Sequence, residues 1–151
     1  MNLFTKSKKK QFFTPEEEKA LIQAIEEAEQ ATSGEIKVHV ESTCKNDAFA
    51  RALELFAELD MHETAQRNGV LFYLAMESHK FAIVADEGIN RVVPENFWEE
   101  IKKNMRNRFK EGKFVAGIQK GITMAGEQLK MHFPYQDDDE NEISDELSKG
   151  D

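Results

Sequence analysis

A chain of 151 residues, 40% hydrophobic and 32% charged, is long enough to bury one core and carries no run near the roughly 20 apolar residues a membrane-spanning helix needs. Its net charge is −9, and Gln136 to Asp151 alone contribute −7, so the body is close to neutral and presents no basic face to nucleic acid. Cys44 is the single cysteine, which excludes a disulfide framework and a thiolate metal cluster.

Residues 1–13, with Lys6, Lys8, Lys9 and Lys10, read as a flexible leader. Phe12-Phe13 passes at once to Pro15-Glu16-Glu17-Glu18, too short an apolar core for a signal peptide, so a cytoplasmic location is expected. Thr14 is placed to cap a helix, Pro15 suits its first position, and Glu17 completes a capping box. Leu21, Ile22, Ile25 and Ala28 then recur at helical spacing, which predicts a helix from Pro15 to about Ala31, closed by Gly34 in the left-handed conformation.

Glu35 to Ser42 alternates, with Ile36, Val38 and Val40 on one face and Lys37 and His39 on a half-exposed one, as in a strand. Asn46-Asp47 opens a second helix whose apolar stripe is Phe49, Leu53, Phe56 and Leu59. Gly69 to Met76 is almost wholly apolar and reads as a strand covered on both faces. A turn at Glu77-Ser78-His79-Lys80 joins it to Phe81–Ala85 as a hairpin, which Asp86-Glu87-Gly88 ends. A long helix is predicted from Pro94-Glu95 through Phe97, Trp98, Ile101, Met105 and Phe109 to a break at Gly112. A last helix runs through Phe114, Ile118, Ile122, Met124 and Leu129 to His132-Phe133-Pro134. Trp98 and the phenylalanines fit a core at this spacing. Residues 14–134 are thus expected to form the domain, and 135–151 an acidic disordered tail.

A strand–helix–strand unit is nearly always parallel with a right-handed crossover. With the hairpin it predicts an α/β fold, a three-layer α/β/α sandwich around a small mixed sheet. Three polar corners then meet at one end of the sheet: Thr32-Ser33-Gly34-Glu35, Arg67-Asn68-Gly69 and Asp86-Glu87-Gly88-Ile89-Asn90. These residues can serve simply as caps and turns. Alternatively, Asp86 and Glu87, helped by Glu35, Asn68 and Glu95, supply the oxygen ligands that Ca²⁺ or Mg²⁺ takes. The histidines His39, His62, His79 and His132 are dispersed without ligand spacing. Asp137-Asp138-Asp139-Glu140 opens like a calcium-binding loop, but a mid-loop glycine is missing and Ser148 stands where the bidentate glutamate belongs. Cys44 beside Lys45 has no histidine signal near it.

Five segments in order resemble the TPM domain family: Thr32-Ser33-Gly34-Glu35-Ile36, Arg67-Asn68-Gly69-Val70-Leu71, Asp86-Glu87-Gly88-Ile89, Phe109 to Gly117, and His132-Phe133-Pro134 followed by Asp139-Glu140-Asn141-Glu142-Ile143. The resemblance runs from Thr14 to Leu147. It implies the same sandwich. For function it implies divalent-cation binding, weak acid phosphatase activity or the maintenance of membrane complexes. At two corners family members often carry aspartate where this chain has Arg67 and Lys113, and many carry a signal peptide and a membrane anchor. The chain therefore resembles a stand-alone soluble member. The expected function is a monomeric Ca²⁺-binding or interaction module with a protein partner and no organic cofactor. One alternative is a weak metal-dependent acid phosphatase, with Asp86 as nucleophile or metal ligand and Arg67 holding phosphate. The other is an accessory factor for assembly or maintenance of a protein complex.

Overall fold

Thr14 accepts a hydrogen bond from the Glu17 N–H at 3.1 Å and donates its own N–H to the Glu17 carboxylate at 2.8 Å. This reciprocal pair starts helix α1 (Pro15–Glu29) where the sequence predicts it. The computed structural model describes residues 4–6 and 12–135. Along them follow strand β2 (Glu35–Glu41), helix α2 (Ala48–Glu58), strands β3 (Gly69–Ala75) and β4 (Lys80–Ala85), a short helix α3 (Glu87–Asn90), and helices α4 (Phe97–Lys110) and α5 (Phe114–His132). Ahead of them all, Phe4–Lys6 forms strand β1.

The sheet has the order β1-β2-β3-β4. β2 and β3 are parallel, with Glu35 opposite Gly69 and His39 opposite Tyr73, and β4 returns antiparallel. β1 lies parallel to β2, and Phe13 is 5% exposed in the core. Both lie within residues 1–13, where the sequence leads to the expectation of a flexible leader. An unpaired β2 edge is a row of unsatisfied backbone groups, and the leader is the segment that covers it. The rest of the leader and the expected acidic tail beyond Tyr135 lie outside the described residues.

The three layers are unequal. On one face α1, α4 and α5 bury Leu21, Ile25, Ile101, Met105, Ile118 and Leu129 against Ile36, Val38, Val70 and Phe72. On the other, α2 alone packs Ala52, Leu55 and Phe56 against Leu71, Tyr73 and Val84. β3 is buried along its whole length. Lys37, expected on a half-exposed face, is 3% exposed, so that face of β2 is covered at its position.

The predicted stripe of α2 is also corrected. Phe49 and Leu53 are 48% and 46% exposed, and Ala52 and Leu55 take the buried positions. The α4 start shifts from Pro94-Glu95 to Phe97, after Asn96 in the left-handed region (φ 68°). Gly34 has no positive φ. A Cβ there would stand 2.7 Å from Leu129 Cδ2, so any other residue would require the buried Leu129 side chain to shift where α5 crosses the end of α1. The left-handed glycine is Gly112 (φ 79°), at the break between α4 and α5. Among the described residues no helix is long and apolar enough to cross a membrane.

Candidate functional site

The parallel pairing of β2 and β3 brings the three polar corners together. The Glu35 N–H reaches Asn68 O at 3.4 Å, the Asp86 N–H donates to Gly69 O at 2.9 Å, and the Gly88 N–H donates to Arg67 O at 2.8 Å. Side chains tie the same corners: Asn68 Nδ2 donates to Ser33 Oγ at 3.2 Å, and Ser33 Oγ donates to Gln66 Oε1 at 2.8 Å. Thr32, fully buried, anchors the first corner to the end of α5. Its Oγ1 lies 3.0 Å from Leu129 O and 2.5 Å from Phe133 O and accepts from the Gly34 N–H.

Asp86 is at the centre and 7% exposed. Arg67 grips it bidentately, Nε to Oδ2 at 2.7 Å and Nη2 to Oδ1 at 2.9 Å, and Oδ1 also accepts from the Glu87 N–H at 2.8 Å. Arg67 itself adopts a left-handed backbone (φ 53°), a strained state for a non-glycine residue. That turn directs its carbonyl at the N–H groups of Gly88 and Ile89. The approach is so close that a Cβ on Gly88 would stand 2.0 Å from Gln66 O. The charge-assisted bond to Asp86 holds the Arg67 guanidinium more firmly protonated than usual.

The sequence-predicted ligands are therefore only partly united. Asp86 and Glu87 share Arg67, whose Nη1 is 3.5 Å from Glu87 Oε1, and Glu87 also pairs with Arg91 at 3.4 Å. Asn68 is 1% exposed, and its side-chain Oδ1 is buried without a hydrogen-bond donor. Glu35 meets the corner through its backbone. Glu95 is exposed in the turn before α4. Among the described residues no three His, Cys, Asp or Glu side chains converge as a metal-holding group.

A second polar cluster, absent from the sequence reading, lies at the other end of the same two strands. Glu41 accepts from Arg51 Nε at 3.0 Å and Nη2 at 3.1 Å, from the Tyr73 hydroxyl, and faces His39 Nε2 at 3.3 Å. The His39 and Tyr73 rings stack with centroids 6.2 Å apart. Burial alone would push the Glu41 carboxyl up, but the Arg51 and Tyr73 hydrogen bonds reverse this and hold it below the ordinary range. Burial lowers His39 despite Glu41 beside it. Burial, then the bond to Glu41, pushes Tyr73 well above its ordinary value. The signal was present: the alternation of β2 puts His39 and Glu41 on one face, and the parallel register sets His39 opposite Tyr73.

The family described as the TPM domain matches residues 7–128. The fold is similar to the NMR structure of the BA42 protein from the psychrophilic bacterium Bizionia argentinensis, at 45% identity over 87% of this chain and 91% of that one, with a TM-score of 0.79. It also resembles the N-terminal domain of a protein from P. gingivalis (16% identity, 89% and 87% covered, TM-score 0.71). The N-terminal domain of cg2496 from Corynebacterium glutamicum is similar in fold (11% identity, 85% and 80% covered, TM-score 0.64). No curated protein matches the chain.

Proposed function

This chain belongs to the TPM domain family, and we propose that it works as a binding module whose corner rim takes a divalent cation, Ca²⁺ or Mg²⁺, in competition with Arg67. The observation that supports this reading is the buried Asp86 carboxylate, held by a guanidinium that is itself 43% exposed. Arg67 is a removable counter-charge: a partly exposed arginine can swing into water, whereas Asp86 is fixed by the α3 start and the β3 edge. The side-chain oxygens of Asp86, Asn68 and Glu87 are hard donors of the type these cations prefer, and the orphaned Asn68 Oδ1 is one of them. As folded, Arg67 occupies both Asp86 oxygens, so the cation must displace it. The affinity is accordingly modest, and a cation would free the Arg67 side chain for a protein partner. Glu35 and Glu95 would lend charge around the rim.

The test is an amide NMR titration with Ca²⁺ and, separately, Mg²⁺. Saturable shifts are expected at Gly34-Glu35, Asn68-Gly69 and Asp86 to Asn90. Arg67→Gln should tighten binding by about tenfold, because one ion-pair competitor is gone, and Asp86→Asn should abolish it. Weaker binding in Arg67→Gln, or saturation confined to residues outside these corners, would reduce the rim to caps and turns.

A further inference from the structure

At the end of the sheet opposite the corner rim, the β3–β4 hairpin and the α4–α5 break enclose a cleft of about 360 Å³, within the size range of small-molecule sites. Its walls are apolar: Leu74 and Met76 from β3 and its end, and the rings of Phe81, Phe109 and Phe114. The rings are ordered against one another, Phe81 edge-on to Phe109 at 5.1 Å and Phe109 beside Phe114 at 5.5 Å. Among the described residues no carboxylate lines the cleft; the charged or ionisable side chains lining it are His79, Lys80, Arg106 and Lys110. Lys80 spends its ammonium on Cys44 O and Asn46 O, at 3.1 and 2.8 Å. Arg106 lies 5.8 Å over the Phe81 ring. Neither Arg106 nor Lys110 forms an ion pair among the described residues, although acids outnumber bases 29 to 20 in this chain. The two stand four residues apart on α4, so each raises the energy of the other, and an anion set between them relieves both.

We infer that this cleft binds a small amphipathic acid: an apolar body of medium alkyl or bicyclic aromatic size among the three phenylalanines, with a carboxylate, sulfate or phosphate head between Arg106 and Lys110. An apolar wall alone would accept any greasy molecule. The two cations at one edge, neither of them in an ion pair among the described residues, select a single-headed anion and fix its direction, tail inward and head at the mouth. An acid with a second charge along its body is rejected, because that charge would be stripped of water against Leu74 and Phe81 with no donor to receive it.

Octanoate is the probe, followed by amide NMR on the full chain, with 1-octanol supplying the body without the head and acetate the head without the body. Saturable shifts at Phe81, Arg106, Phe109, Lys110 and Phe114 are expected with octanoate, about fivefold weaker binding with 1-octanol, and none with acetate. The double variant Arg106→Glu/Lys110→Glu should lose octanoate while keeping 1-octanol, and Arg106→Lys should retain both. Both positions are exposed, so these variants should unfold at the parent temperature. Equal affinity for octanoate and 1-octanol, or octanoate binding that survives the double reversal, would overturn the assignment. Cosedimentation with phosphatidylglycerol vesicles without saturable octanoate binding would overturn it too, in favour of a membrane surface.

Discussion

Glu41 shows how one residue organises a strand end. A carboxylate 14% exposed is costly unless charge and hydrogen bonds meet it, and here Arg51, Tyr73 and His39 do so from α2, β3 and β2 itself. The pH dependence follows with a definite sign. His39 has its folded pKa below the ordinary 6.5, so between the two values the unfolded chain holds more protons and acid favours unfolding. Glu41 has its folded pKa below its ordinary 4.5, so its contribution is full above that value and is lost as pH falls further. Thermal unfolding should therefore show a melting temperature that declines in two stages, the first beginning near pH 6.5 and the second near pH 4.5. His39→Gln should remove the first stage and leave the second. A single decline starting only below pH 4.5 in the parent protein would sink the assignment to His39.

The element that departs most from its sequence pattern is α2. Phe49, Leu53, Phe56 and Leu59 make a plausible apolar stripe, yet the helix is rotated so that Ala52, Leu55 and Phe56 face the sheet. Two tertiary demands set this rotation. Arg51 bonds Glu41, and fully buried Ala52 belongs to the same apolar cluster as Tyr73. Among the described residues α2 is the sole helix of its layer, and none of them covers Phe49 and Leu53. Leu55→Ala should cost about 2–5 kcal/mol in chemical denaturation, whereas Leu53→Ala should change stability by less than about 1 kcal/mol. Equal losses would mean that the observed rotation is not the one in solution.

For the whole molecule, charge and core are separated along the chain. The described fold closes at Tyr135, whose N–H donates to Ala31 O at 3.1 Å, just past the bridge between Thr32 and Pro134. Residues 136–151 hold −7 of the net −9. A chain ending at Tyr135 should keep its melting temperature within about 2 °C, since every residue of the two described core clusters is retained, while its isoelectric point rises sharply. A loss of many degrees would show that the acidic segment contributes to the fold. The two candidate sites occupy opposite ends of β3, seven residues and roughly 20 Å apart, so Arg67 and Arg106 variants should act independently.

Local chemistry decided much of this protein from the sequence alone. The Thr14–Glu17 capping box, the strand at β2, the unbroken apolar run of β3 and the β3–β4 hairpin each rest on neighbours a few residues apart, and each forms where its pattern places it, although burial of Lys37 breaks the alternation of β2. From these and the handedness of the crossover follow the three-layer sandwich and the meeting of the three corners. What needed the tertiary structure was which partner each charge finds. Arg67 and Asp86 are 19 residues apart and Tyr73 and Glu41 are 32 apart, and sequence spacing carries no energy for such pairs until the sheet sets their distance. The same holds for β1, which pairs along the edge that β2 offers, and for Gly34, where a side chain would have to displace Leu129 from the far end of the chain. Short-range bonding fixes elements; long-range packing fixes rotations, ion pairs and clefts, and the candidate sites are made of the latter.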